Sequence, residues 1–324
     1  MTGITGELID HWGGPVETKK QKVLVLGGSG MLGNMVYRVL AGMPGLEVHV
    51  TTRDPECEGQ GPWRWFDADD FLDSMRPETL FCCGYSWIVN CIGITKPLID
   101  EKDRHSIDRA VLINSQFPNQ LAGTAERHGF RVLQIATDCV FSGNPERDYD
   151  YDEKAPHDAL DVYGKTKSLG EVISPNVMHL RCSIIGPELR IEKRFLLEWI
   201  VAQPQGTEVP GYTNHYWNGL TTQQFSLICA AIIRCPEGLF RPGVHHLHAE
   251  CPVTKSALLR MIAGAFGRDD LRIVPTEAPQ AVDRELTCAD PEFHYDLWHA
   301  SDEFEAIPID AMLRKMAEFE KGSK

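Results

Sequence analysis

The chain has 324 residues, of which 43% are hydrophobic and 24% charged, proportions ordinary for a folded globular protein that exclude disordered and fibrous classes. Its formal net charge of -14 opposes non-specific binding to DNA or RNA, which needs basic residues to neutralise phosphates; an anionic small ligand can still be held by a few local Arg and Lys. The longest apolar runs, such as Ile228–Ile233, fall short of the ~18 residues of a membrane span, so no membrane partner is expected.

Residues 1–20 are polar, broken by Gly and Pro, and carry no apolar signal-peptide core, so they are expected to form a flexible leader. From residue 21 short apolar runs alternate with amphipathic stretches. KVLVLGG precedes MLGNMVYRVLAGM; LEVHVTTR follows; SWIVNCIG precedes the helical stretch IDRAVLINSQFPNQLAGTAERHG; FRVLQIATD precedes YGKTKSLGEVI; VMHLRCSII closes the series. Strand and helix signals in alternation predict βαβ units, hence an α/β, Rossmann-type doubly wound parallel sheet with ligands at the carboxyl ends of its strands. After Pro187 the pattern becomes less regular. The helices FLLEWIVAQ and QQFSLICAAIIR flank a loop, GYTNHYWNG, and an amphipathic helix starts near Pro308. The expected organisation is a nucleotide-binding domain over 21–186 plus about 216–244, and a smaller C-terminal α/β substrate lobe from 187–215 and 245–324. The ten cysteines include no C-x-x-C pair, and Cys91, Cys139, Cys182 and Cys229 lie in apolar runs, which suits a reduced, cytoplasmic protein without disulfides.

The turn between the first strand and first helix reads Gly27-Gly28-Ser29-Gly30-Met31-Leu32-Gly33. Such a turn brings backbone N–H groups and the positive end of a helix dipole against a phosphate pair, and glycine serves where a Cβ would block approach or φ must be positive. Gly27, Ser29, Gly30, Met31, Leu32 and Gly33 are therefore the expected dinucleotide cradle. At the end of the second strand an acidic residue would suit the ribose of NAD, whereas Arg53 stands there with Asp54 next. Arg53 favours NADP(H), with NAD(H) as the alternative. Asp67 is placed to accept from the adenine amino group, or simply to cap a helix.

Among the eight tyrosines only Tyr163 has a lysine, Lys167, four residues on, and that helical spacing puts both on one face. A nearby ammonium is expected to stabilise the phenolate, lowering the phenol's pKa and making Tyr163 a usable proton donor. Thr137, at the end of a predicted strand, can hydrogen-bond a substrate carbonyl as negative charge develops on it.

The glycine turn, VNCIGITKP, VLINSQFPNQLA, QIATDCVFSG, YGKTKSLGE and LRCSIIGPE occur in the order of the extended short-chain dehydrogenases/reductases, and over about 21–245 the chain resembles their dTDP-4-dehydrorhamnose reductase group. The resemblance implies a Thr137–Tyr163–Lys167 triad, a bound nicotinamide nucleotide, a nucleotide-sugar substrate and a homodimer. It also implies hydride transfer from NADPH to the C4 carbonyl of a 4-keto-6-deoxy sugar, with Tyr163 giving the proton, Lys167 holding the nicotinamide ribose, and Ile92 and Gly93 lining the cofactor. The sequence departs from this pattern twice. Thr137-Asp138-Cys139 lacks the glutamate of the sugar dehydratases and the tyrosine usual in the reductases, and RCSIIG is one residue short, which bears on the placement of Ser183 near the nicotinamide. An epimerase and a non-catalytic NADP-binding regulatory subunit, like that of methionine adenosyltransferase, are the rival readings.

Substrate contacts are expected from Thr95 and Lys96 after CIGI, from Asn214, His215 and Trp217 in the polar-aromatic loop, and from Arg284; Lys96 and Arg284 suit a diphosphate. His245, His246 and His248 in VHHLHAE lack a clear fourth ligand and read as alternating strand positions, so no metal is expected.

Overall fold

The computed structural model describes residues 20–73, 79–189, 195–301 and 307–322. Apart from Lys20, the expected leader lies outside them, as does the stretch 190–194 at the start of the expected lobe.

Val23, Leu24, Val25 and Leu26 are fully buried, as a strand covered on both faces requires, and they lie in β1 (Gln21–Leu26), an interior strand of a seven-stranded sheet. The chain then builds outward on one side through β2 (Leu46–Thr52) and β3 (Trp63–Trp65), and on the other through β4 (Trp87–Asn90), β5 (Arg131–Thr137) and β6 (Val177–Cys182), with the strand Gly243–His246 on the far edge. Every pairing in this sheet is parallel, and Val23 sits opposite both Val48 of β2 and Trp87 of β4. The direction of building reverses between β1 and β4, which opens a crevice beyond their carboxyl ends. The doubly wound α/β architecture expected from the sequence is thus present.

Helices α1 (Met31–Ala41), α2 (Ala68–Asp73), α3 (Arg104–Val111), α4 (Phe117–His128) and α5 (Val162–Leu169) accompany the first six strands. The stretch predicted as one helix over 107–129 is interrupted by a π turn at Leu112–Gln116. Pro118 offers no N–H to the Asn114 carbonyl four residues back, and that carbonyl packs instead so tightly on Gly170 that a Cβ there would lie 2.0 Å from it.

Beyond β6 come α6 (Leu196–Val201) and α7 (Thr222–Arg234), the latter packed on α1. The expected loop around GYTNHYWNG contains strand residues instead, Glu208–Tyr212 and His215–Trp217, which pair with Arg272–Thr276 and Val282–Asp283. The edge strand also extends to His246, so the sheet keeps two residues assigned to the lobe. Helix Ile309–Gly322 buries Ile309, Met312, Leu313, Met316 and Ala317, the i, i+3, i+4 stripe of an amphipathic helix. One apolar core runs from β1 through α1 and α7 into the helices Lys255–Ala265, Pro291–Ala300 and Ile309–Gly322. The C-terminal helices are therefore built onto the core of the sheet itself.

Candidate functional site

The glycine turn begins with Gly27 at φ +86°, in the left-handed region that favours glycine. Thr51 at the end of β2 anchors the turn, its hydroxyl accepting from the Gly27 amide at 2.9 Å and its carbonyl from the Gly28 amide at 2.9 Å. Gly33 has a different duty from phosphate approach. A Cβ there would lie 2.3 Å from the Gly27 carbonyl oxygen, so the residue is small in order to let α1 close on the turn. Helix α1 starts after Gly30 with no side-chain cap and no acidic residue in its first turn, leaving its first amides and the positive dipole end open to an anion.

Two cavities meet at this turn. One, of about 590 Å³, is lined by Gly27, Ser29, Arg53, Asp67, Ile92 and Gly93 among others. Arg53 is exposed at its edge, while Asp67 spends one oxygen accepting from the Asp69 amide at 2.9 Å, the helix-capping role foreseen as its alternative. Arg109 of α3, which no sequence pattern singled out, also lines this cavity and pairs with Asp69 at 3.1 Å.

The second cavity, of about 410 Å³, brings together Gly30, Met31, Leu32, Ile92, Gly93, Thr95, Lys96, Thr137, Tyr163, Lys167 and Ser183. Thr137 ends β5, and its hydroxyl donates to Asp138 at 3.2 Å and accepts from the Cys139 amide at 3.2 Å. Asp161 caps α5 by accepting from the Gly164 amide at 2.8 Å, which starts the helix so that Tyr163 and Lys167 share one face. Burial pushes the Tyr163 phenol well above its ordinary value, with Cys139 adding to the rise and a hydrogen bond with Thr137 opposing it. The expected lowering by Lys167 is not found. Its ammonium donates at 3.0 Å to the Ile135 carbonyl, and burial brings Lys167 itself down to about 8. Tyr163 is accordingly held protonated.

Polar side chains from distant parts of the chain fix the cavity wall. Asn114, in the π turn, accepts from the Ile94 amide at 2.9 Å and donates to the Ile94 carbonyl at 2.9 Å, clamping the loop after β4. Asn90 donates to Gln134 at 2.8 Å between β4 and β5 and accepts from the Ile92 amide at 3.0 Å. Lys96 is less free than its diphosphate assignment supposes, since its ammonium is paired with Asp161 at 2.7 Å. Thr95 has the opposite character: its hydroxyl oxygen is buried without a hydrogen-bond partner among the described residues.

A third cavity, of about 300 Å³, shares Met31, Asp138, Cys139 and Ser183 with the second and leads toward His215, Trp217 and Arg284. The Trp217 indole donates to the Ser183 hydroxyl at 2.8 Å, so the shortened RCSIIG segment still places Ser183 at the junction of the two cavities. Arg284 donates to the Phe141 and Ser142 carbonyls at 2.9 and 3.0 Å, and its charge opposes the upward push of burial on the Asp138 carboxyl. Asn214 does not line this cavity. Both ends of its amide clip Ala278, donating to the carbonyl at 2.8 Å and accepting from the amide at 2.9 Å, so the substrate role assigned to it is replaced by a structural one. Asp138 and Lys255 line the space without having been singled out as site residues.

The fold and much of the sequence have counterparts in known proteins. Residues 21–190 match the family model described as the RmlD substrate binding domain. A dTDP-4-keto-6-deoxy-D-glucose reductase of Streptomyces niveus is 29% identical over 148 residues, covering 46% of this chain and 45% of that protein, so the match spans less than half of the relative's length. Methionine adenosyltransferase 2 subunit beta of Danio rerio is 26% identical over 293 residues, covering 82% of this chain and 80% of that protein. The crystal structure of a dTDP-4-dehydrorhamnose reductase of Bacillus anthracis in complex with NADP superposes with a TM-score of 0.63 at 16% identity, covering 92% of this chain and 97% of that one. Since the family model accounts for more than half of the residues, and for the β1 turn and the Tyr163 helix alike, the chain belongs to the RmlD substrate binding domain family.

Proposed function

We propose that the protein reduces the C4 keto group of a nucleotide-linked 4-keto-6-deoxy sugar with NADPH. The observation that carries this reading is the meeting of Thr137, Tyr163 and Lys167 in one cavity that opens past Gly30 and Ile92 into the space bordered by Arg53. A nicotinamide nucleotide fits the residues present: an uncapped α1 for its diphosphate, Arg53 for a 2'-phosphate, and the Cys91–Ile94 backbone shared by both cavities. When bound, it supplies the hydride.

The chain's own residues supply the rest. Thr137 turns its single hydroxyl proton from Asp138 to the substrate carbonyl, and Tyr163, kept protonated by its burial, delivers the proton to the oxygen as it becomes a hydroxyl. Lys167, with a pKa near 8, remains mostly cationic at neutral pH and, anchored on the Ile135 carbonyl, would hold the nicotinamide ribose. The third cavity, between Ser183, Trp217 and Arg284, gives the nucleotide part of the substrate a place.

A second reading rests on the alignment with the zebrafish regulatory subunit, which spans far more of its partner than the reductase alignment does. In that reading the cavity binds NADP without turnover. NADPH consumption by the purified chain with dTDP-, UDP- and GDP-linked 4-keto-6-deoxy hexoses separates the two. We expect consumption with one of them, falling by at least ~100-fold in Tyr163→Phe while NADPH binding persists. Tight NADPH binding with no consumption for any of the three would remove the reductase reading in favour of the regulatory one.

A further inference from the structure

Outside the three cavities, the segment following the edge strand Gly243–His246, the loop before helix Pro291–Ala300 and that helix itself bring His248, Cys288 and His294 together. Each offers one ligand atom, and these atoms lie within 4.8 Å of one another. We propose that His248, Cys288 and His294 form a zinc site.

The tautomer of His248 is set by its surroundings. Nδ1 lies 3.0 Å from the Ala249 carbonyl, which can only accept, so Nδ1 carries the proton and Nε2 presents a bare lone pair. That Nε2 is buried and has no hydrogen-bond partner among the described residues. A ring nitrogen anchored through a backbone carbonyl with the other left free is the usual preparation of a metal-ligating histidine. His294 presents a lone pair as well: its Nε2 accepts from the Trp298 indole N–H at 3.1 Å and from the His248 amide at 3.4 Å, and both of those groups are donors. Burial holds both imidazoles below the ordinary value, so neither needs to lose a proton to bind a cation at neutral pH.

The two rings now stack at 4.2 Å with an interplanar angle of 16°. Lone pairs lie in the ring planes, so ligation opens this stack and draws the two edges toward a common point, and His294 gives up its indole contact. The sulfur comes from Cys288, whose thiol burial pushes up to about 11. It stays protonated until the cation displaces the proton: the Cys288 S–H bond breaks, a Zn–S bond forms, and one proton passes to solvent. Glu153 supplies nearby negative charge, felt by His248, Cys288 and His294 alike, while its two oxygens accept from the His246 and Ala289 amides at 2.8 and 2.7 Å. A dication, one thiolate and this carboxylate sum to zero charge. Two nitrogens and one sulfur suit zinc rather than magnesium or calcium, and leave a fourth position open. None of the three residues lines the cavities of the proposed reaction, so the site stands independently of that reaction.

The test is calorimetric titration of the reduced, chelator-stripped full chain with zinc chloride at pH 7 in buffers of different ionisation enthalpy, followed by cobalt(II) as a spectroscopic substitute. The expected result is one zinc per chain, about one proton released, a thiolate-to-cobalt absorption band, and affinity lowered more than about tenfold in Cys288→Ser and in His248→Gln. Circular dichroism establishes that each variant is folded. Absence of a one-to-one zinc complex in the unaltered chain overturns the proposal whatever the variants do. So does a complex retained at full affinity in Cys288→Ser, which would assign the ion to other thiols.

Discussion

Replacing Lys167 with methionine separates what this side chain costs the fold from what it gives the proposed reaction. Burial lowers Lys167 from 10.5 to about 8, a difference worth roughly 3 kcal/mol against the native state wherever the group is charged in both states. Methionine has similar reach and no charge, so that cost disappears. It also loses the hydrogen bond to the Ile135 carbonyl, worth about 1.5–3 kcal/mol for a charged donor, although Gln134 still donates to that oxygen at 3.1 Å. The variant should therefore be more stable than the unaltered chain at pH 7, by about 1 kcal/mol. Between pH 8 and 10.5 the unfolded lysine holds its proton while the folded one has lost it, so the unaltered chain gains stability with rising pH. The gap should close across this window and reverse by about pH 10.5. Urea unfolding of both proteins at pH 7, 8.5 and 10 measures it, and proposed turnover should be lost at every pH. A gap that stays constant with pH, or a variant less stable at pH 7, would refute the assignment of Lys167 as a buried ammonium held at a cost.

Arg53→Ala should raise the dissociation constant for NADPH by about 10–100-fold, the worth of one charge-assisted contact to a 2'-phosphate, and leave that for NADH nearly unchanged; fluorescence titration with both nucleotides checks this. Glu171→Gln removes the partner of Arg181, whose side chain is 1% exposed, and should lower stability by about 3–5 kcal/mol in urea titrations because an unpaired charge is left in the interior. Gly33→Ala drives a Cβ against the Gly27 carbonyl and should cost about 1–3 kcal/mol in the same assay, together with weaker nucleotide binding as α1 shifts off the turn.

The parts of this protein legible in the sequence are those written in neighbouring residues. Val23 to Leu26 announce a buried central strand, the glycines after them announce a turn into a helix, and the spacing of Tyr163 and Lys167 announces a shared helix face. What the sequence hides depends on partners far along the chain. Lys96 reads as a free cation until Asp161 neutralises it from 65 residues away, and Asn214 reads as a ligand contact until Ala278 takes both ends of its amide. Arg109 carries no motif because it reaches its cavity from a helix whose register no local pattern specifies. The lowering expected for the Tyr163 phenol fails for a related reason: helical spacing brings Lys167 to the correct face, but spacing is silent on how much water the fold removes from both groups.

The π turn at Leu112–Gln116 makes the length of the chain here as consequential as its composition. Each of its residues could be exchanged for another of similar size and the widened coil would persist, held open by Pro118. Removing a single residue would instead let the coil relax to regular α-helical winding, with the flanking helices kept in register and the displacement, up to roughly 100° about the axis, confined to the residues of the turn itself. Asn114 could then no longer face both Ile94 and Gly170, and the loop that walls the Tyr163 cavity would lose its clamp. Within this family, a one-codon gap at this point would mark a protein whose cavity is organised differently, even where Thr137, Tyr163 and Lys167 remain in place.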